Sequence, residues 1–365
     1  MTNNQIFSKD IIGKKESVVD EILLLNPNQT PLINLLDFGK PVVNTTHVWY
    51  EDEVFAVKST VTAAAAADAT QLAVAETEPF VVDSIVQIDE ELMLVTAVDK
   101  ATKKITVTRG YSETTPTAIV KDADIEFLFN LAEEGGDIPE SRYKPRKKNE
   151  NYTQIFRESV EVSGTAQSID QYGVGDLYDY EKAKKQLELA LQLEKALING
   201  IKVDNGNIRH LGGMRQFIKT NVITANNAAV SVEMLRDMVK TVFEKGGLAS
   251  AGQYVFIVSA HQKLAISDLQ NDKLRITQKE NGRGQVVDHL VTDFGTFPIL
   301  MNDNVKNNEI YFVDKNRMTI RPLNDRGFHH IPAAVEGDRV RGFVVGEYTF
   351  EFLQESAHAR IKDLA

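Results

Sequence analysis

Cysteine is absent from the 365-residue chain. Disulfides, thiolate metal sites, iron–sulfur clusters and cysteine nucleophiles are therefore excluded. A reducing, intracellular origin fits that absence. Long apolar runs are also missing: nothing approaches the ~20 apolar residues of a membrane span. The start MTNNQ is polar and the run Ile22–Leu25 is short, so a signal peptide is not expected. The reading is a soluble chain made in a cytoplasm, with no membrane partner. Positive charge is in deficit, with 41 Lys plus Arg against 52 Asp plus Glu and a net charge of −11. Wrapping nucleic acid by counterion release is disfavoured as the main role, and the acidic balance favours solubility.

Signatures of chemistry are scarce as well. P-loop, dinucleotide, zinc-protease, nucleophile-elbow and calcium-loop patterns are absent. His329 and His330 are adjacent, and adjacent residues on a strand point apart, which argues against a shared metal. His47, His210, His261, His289 and His358 have no partner at ligand spacing. No catalytic residue, metal or cofactor is expected. Asp89-Glu90-Glu91 reads as a solvated turn, and Trp49-Tyr50 beside Glu51-Asp52-Glu53 as the anchor of a loop base.

What is present is an ordinary globular composition, 42% hydrophobic and 25% charged, long enough for two or three domains of ~150 residues. In residues 1–48, Ser17 to Leu25 can form a short amphipathic helix that Asn26-Pro27-Asn28 ends, and Pro31 and Pro41 are expected to keep the rest open. Leu32, Ile33, Leu35, Leu36 and Phe38 are too apolar for a free tail and predict an arm lying on a neighbouring subunit. Residues 59–129 predict a compact all-β insertion, a small barrel or sandwich with its ends close together. Its strands are read at Ile85–Ile88, Leu92–Val98, Lys104–Arg109 and Asp124–Phe129, with Gly110 at a positive-φ position. Tyr152–Gly164 alternates with period two and predicts a strand.

A long helix is predicted over 176–199, capped by Asp176, with Asp179 in its first turn. Its apolar stripe is read as Leu177, Tyr180, Leu187, Leu191, Glu194 and Ile198, widened by Ala183, Ala190, Leu193 and Leu197. Glu181/Lys185 and Lys184/Glu188 are expected as i,i+4 ion pairs, and Asn199-Gly200 as the C-cap. Residues 205–340 alternate helix and strand: a helix capped by Ser231, a doubly covered strand Tyr254–Val258, a helix His261–Leu269, and strands Gly295–Met301 and Ile310–Val313. Residues 341–353 are strand-like and Ala357–Leu364 reads as a short tail.

The order of these parts resembles a tailed-bacteriophage major capsid protein of the Hong Kong 97-type (Johnson) fold, in the subgroup with a β insertion in the E-loop. The resemblance rests on QIFRESVEVSGTAQSIDQYGV (154–174) leading into helix 176–199, YVFIVSAHQKL (254–264), and EELMLVTAVDKATKKITVTRGYSETTPTA (90–118), above all TVTRGY (106–111) with Thr114-Thr115. It implies an α+β fold with an N-terminal arm (1–48), an E-loop (49–150) carrying the β module 59–129, a peripheral domain (151–204) with the spine helix, an axial domain (205–340), and a return to the peripheral domain (341–365).

The implied function is a structural capsid subunit that self-assembles, as hexamers and pentamers, into an icosahedral or prolate shell. That shell forms in the host bacterial cytoplasm and holds double-stranded DNA contacted non-specifically. Scaffolding, portal and decoration proteins are implied partners. At subunit contacts, Lys144, Arg146, Lys147 and Lys148 are expected to meet a neighbour's Asp176, Asp179, Glu181 and Glu188. The competing readings are an encapsulin-like shell, which as a rule lacks such a β insertion, an α/β cytoplasmic enzyme, and a glycan-binding module using 59–129.

Overall fold

The computed structural model describes residues 30–132, 134–135, 142–169, 175–248, 253–269, 275–280, 286–334 and 337–365, with backbone alone at 275–280 and 286–288. The expected helix Ser17–Leu25 lies outside the described residues. The chain divides into two compact units, residues 50–147 and residues 1–49 with 148–365. It passes through helix α1 (Pro31–Leu35) and strand β1 (Thr46–Glu51) on its way to the first of these.

The 50–147 unit is built from β2 (Lys58–Thr60), β3 (Gln71–Ala73), β4 (Ser84–Ile88), β5 (Glu91–Asp99), β6 (Lys104–Thr108) and β7 (Asp124–Asn130). They lie in the order β2-β7-β4-β5-β6-β3, each neighbour antiparallel. Val61 bridges Val74, and Thr62 N–H donates to Ala73 O at 2.8 Å, so β2 also meets β3 and the sheet closes into a six-stranded barrel. Alternation along each strand sends Val61, Leu72, Val86, Met93, Val107 and Ile125 to the interior, all at most 2% exposed. Register shifts at Ile85/Val86 and Val95/Ala97 are bulges of the kind that bend strands around a small barrel. Gly110 has φ +63°, and a Cβ there would sit 2.9 Å from Thr114 O, so glycine is required twice over. The pairs Lys58–Glu126 and Thr60–Asp124 hold the module's two ends side by side.

In the other unit, β8 (Lys147–Tyr152) pairs with β1, and β9 (Gln154–Ser163) pairs along β20 (Arg339–Phe352) from residue 339 to 348. The opposite edge of β20 takes β19 (His329–Pro332) and then β18 (Met318–Pro322). Short α2 (Gly164–Ser168) leads towards α3 (Leu177–Asn199). Leu189, Leu193, Leu197 and Ile198 of α3 share one core with Phe156, Val344 and Phe350 of this sheet. The burying stripe is therefore 189/193/197 with 194 and 198, while Leu187 and Leu191 are half-buried, a correction to the expected stripe. Leucines at 187/191 and at 189/193/197 form two rows two residues apart with the same spacing, and packing against the sheet selects the second. Gly200 closes α3 at an ordinary φ of −55°. A Cβ there would lie 2.4 Å from Ala196 O and 2.6 Å from Leu211 O, so close backbone approach, rather than a left-handed cap, selects glycine.

Beyond a hairpin of β10 (Val203–Asp204) and β11 (Arg209–His210) and the turn of α4 (Met214–Phe217), a seven-stranded sheet forms. Its strands are β12 (Val222–Thr224), β13 (Tyr254–Val258), β14 (Arg275–Glu280), β15 (Val286–Thr292), β16 (Gly295–Met301), β17 (Ile310–Asp314) and β21 (Ala359–Lys362). The order is β12-β21-β17-β13-β16-β15-β14. Helix α5 (Val232–Glu244), capped by Ser231, covers one face: its Leu235, Met238 and Val242 share a core with Tyr254, Phe256 and Val258. Val255 and Ile257 face the other core, with α3. Helix α6 (Ala260–Asp268) follows β13 at once, capped by Ser259.

Two expected boundaries move. β18 and β19, placed within 205–340, belong to the sheet of β9 and β20, and β21, read as a tail, is an internal strand between β12 and β17. Residues 341–365 therefore serve both sheets. A four-residue strand is too short for periodicity to announce it, and its pairing with distant segments decides its state.

Candidate subunit-contact surfaces

The arm is placed differently from expectation. Leu32 and Leu36 are 0% and 4% exposed and belong to the chain's own core, with Ile33 and Leu35 packed against it. The expected contact of Leu32 and Leu36 with another copy is corrected accordingly. Pro31 does not hold the chain open; it occupies the first turn of α1, where its missing N–H is no loss. Phe38 remains outward at 55% exposed, its ring edge towards Tyr348 at 6.1 Å.

The basic cluster finds carboxylates within the chain. Lys144 Nζ lies 2.8 Å from Glu78 and 3.4 Å from Glu53, and Arg146 Nε lies 3.3 Å from Asp52. The Glu78 bond holds the Lys144 ammonium above its usual range. Lys148 is 3.7 Å from Glu150, which also takes Lys202 at 3.0 Å. Lys147 is exposed and has no carboxylate partner among the described residues. The like charges that called for an external partner are thus largely compensated at home. Between residues 50–55 and 142–146 an open groove of about 740 Å³ exposes Tyr50, Val54 and Tyr143, at 66%, 91% and 82%. The acidic run Glu51-Asp52-Glu53 was the available signal for this pairing; contact between segments some ninety residues apart is not visible in a linear reading.

The acidic turns of α3 are likewise occupied. Asp176 accepts from Tyr178 N–H at 2.8 Å and Asp179 N–H at 3.1 Å, and these caps with Gln167 hold its carboxyl below the usual range. Asp179 pairs with Lys182, Glu181 with Lys184 at 3.7 Å, and Glu188 with Lys185 at 2.6 Å. The ion pairs run i,i+3 rather than the expected i,i+4.

Glu91, His329 and His330 are tied into structure. Glu91, read as part of a solvated turn, is 2% exposed and meets Arg109 through two bonds, Nε to Oε1 at 2.6 Å and Nη2 to Oε2 at 2.7 Å. Burial pushes its carboxyl up, but the bonds from Arg109, Thr117 N–H and Gly110 N–H outweigh that and hold it low. His330 Nε2 meets Tyr178 Oη at 2.8 Å, and His329 Nδ1 meets Gly327 O at 2.6 Å, so the two rings serve different contacts. Among the described residues no three His, Asp or Glu side chains converge as a metal site, and no helix is long and apolar enough to cross a membrane.

The family model described as SU10 major capsid protein matches residues 1–365. The major capsid protein of Escherichia phage Phieco32 is 38% identical over 71 residues, and the matched stretch spans 20% of this chain and 20% of that protein. Among solved structures, the capsid of a native GTA particle aligns over 100% of both chains with a TM-score of 0.56 and 10% identity. The cyanophage A-1(L) capsid covers 98% of each chain at a TM-score of 0.53 and 10% identity. The SrpI encapsulin of Synechococcus elongatus PCC 7942 aligns over 96% of this chain and 92% of its own, at a TM-score of 0.52 and 9% identity. At such identities these structures show a shared fold.

Proposed function

Because the chain belongs to the SU10 major capsid protein family, and is thereby a structural protein of a capsid shell, we propose that its copies assemble around five- and sixfold axes into a closed shell enclosing a phage genome. The family match across residues 1–365 is the observation that carries this reading. Shared fold supports it but does not separate a viral capsid from an encapsulin, since both align to this chain above a TM-score of 0.5. The inserted barrel favours the capsid.

The finer assignment is a Hong Kong 97-type subunit with a β insertion in its E-loop. In it, residues 1–48 are the arm and residues 49–150 the E-loop; α3 is the spine helix of the peripheral domain, and the seven-stranded sheet with α5 and α6 is the axial domain. Support comes from the order of these parts along the chain and from the side-by-side ends of the barrel. The role is structural rather than enzymatic. Its partners beyond further copies are scaffolding, portal and decoration proteins and double-stranded DNA held without sequence preference, and assembly takes place in the cytoplasm of the bacterial host. With the basic cluster largely compensated, the contact between copies rests on Phe38, Lys147 and the outward Tyr50, Val54 and Tyr143.

Sedimentation and negative-stain microscopy of the purified chain test the reading. Megadalton closed shells are expected. A discrete small oligomer under every assembly condition overturns it, and shells that form in cells around protein rather than DNA point to the encapsulin class.

A further inference from the structure

Glu194 is fully buried, and among the described residues none of its partners is a cation. Its Oε1 accepts from Leu32 N–H at 2.8 Å and from Asn302 Nδ2 at 2.6 Å, and its Oε2 accepts from Ile33 N–H at 2.9 Å. Two of the three donors thus come from the first turn of α1. That turn has no cap of its own, because Thr30 makes no side-chain bond to it. First-turn N–H groups have no partner inside a helix, and a five-residue helix has little means to hold itself together. Glu194 supplies what α1 lacks, and α1 supplies donors that a buried carboxylate needs.

Past α1 the chain lies parallel to β18 without joining it as a full strand. Gly39 N–H donates to Ile320 O at 2.9 Å and Val42 N–H to Pro322 O at 2.8 Å, with isolated bridges at Phe38–Ile320 and Val42–Leu323. Val43, next along, is 91% exposed. Residues 30–42 are therefore held by the buried Leu32, Leu36 and Val42, by Ile33 and Leu35 packed against the core of the two leucines, by one carboxylate and by a few edge bonds. The two sheets have complete ladders without them.

We propose that residues 30–42 form a detachable strap with Glu194 as its latch, so that the strap lifts and re-seats as a unit while both sheets stay folded. A lifted strap uncovers the part of the core that Leu32 and Leu36 fill. It also leaves Glu194 with the single donor of Asn302, and this couples the strap to α3 and to the loop after β16. Local openings of this kind are expected where few buried contacts hold a segment to a larger stable body.

Hydrogen exchange followed by mass spectrometry on the full chain tests this, comparing peptides over 30–42 with β13 and β17. Glu194→Ala should speed exchange at 30–42 at least tenfold while leaving 254–258 and 310–314 unchanged. Glu194→Gln, which keeps an acceptor oxygen in place, should fall between that variant and the parent. An unchanged strap in Glu194→Ala overturns the proposal, as does equal acceleration in strap and sheets. Should Glu194→Ala fail to fold, the parent chain in graded sub-denaturing urea decides. A strap that opens well before β13 supports the latch, and one that opens together with β13 overturns it.

Discussion

Arg109 grips Glu91 with two parallel hydrogen bonds, at 2.6 and 2.7 Å, in a place where their side chains are 6% and 1% exposed. The same guanidinium donates to Ala66 O at 3.0 Å and Thr117 O at 2.6 Å, so one residue fastens the loops before β3 and after β6 to the start of β5. Removing one partner of a buried pair leaves the other charge without compensation, at a cost of ~3–5 kcal/mol. Arg109→Ala and Glu91→Gln should each lower the barrel's unfolding free energy, read from urea titration, by that order. A change below ~1 kcal/mol in both would mean that water reaches the site and that the pair is dispensable.

His358 is buried between Asp314 and Phe352, its Nδ1 accepting Asp314 N–H at 3.2 Å and its ring 4.3 Å from Phe352. Burial pushes its pKa down to about 3 from an ordinary 6.5. The unfolded chain thus binds a proton that the folded chain refuses. The stability tied to this residue is complete above pH 6.5 and drains as pH falls towards 3, at up to ~1.4 kcal/mol per pH unit. Comparison with His358→Gln isolates the effect, because every other titrating group is common to both. Between pH 6.5 and 4.5 the parent should lose stability faster than the variant. Parallel stability curves would show that the imidazole is protonated in place.

The two leucine rows of α3 separate by burial. Leu193→Ala, at 1% exposed, should cost ~2–5 kcal/mol, and Leu191→Ala, half-buried, roughly 1 kcal/mol or less. Thermal melts of the two variants make the comparison. The reverse order would mean that α3 is rotated relative to its sheet.

The barrel should be separable. Because Thr60 and Asp124 are direct partners, a short Gly/Ser linker can replace residues 61–123 without moving the flanking chain. The shortened chain is expected to keep its cooperative melt, and residues 57–131 expressed alone should fold. About 70 residues is near the lower limit for a self-standing core, so modest stability is expected of the fragment. Loss of all structure in the shortened chain would make the barrel part of the larger fold.

Local and periodic features were legible in the sequence. Ser231 and Asp176 announce their helices, four barrel strands show by β-branched runs, and Tyr254–Val258 is apolar on both sides as a covered strand must be. Features that depend on distant partners were not. Glu91 looks solvated until Arg109 is placed beside it, Leu32 looks orphaned until Glu194 and the core are in view, and Ala359–Lys362 has four residues with which to declare a strand. The contact surfaces were the least legible part. A basic run reads the same whether its partners are 60 to 95 residues back in the same chain or on another molecule, and within the chain Lys144 and Arg146 lie beside the carboxylates of Asp52, Glu53 and Glu78.

The bridge from Val61 to Val74 matters beyond the module it closes. Short strands rich in Val, Ile and Thr are sticky wherever a row of backbone N–H and C=O groups is left bare. A capsid shell brings many identical modules together, and an open sheet among its own copies can grow into its neighbour's. Joined last strand to first, this one offers no such row. Crowding that would drive an open version into fibrous cross-pairing leaves each closed barrel a separate body, free to sit among its copies without recruiting them.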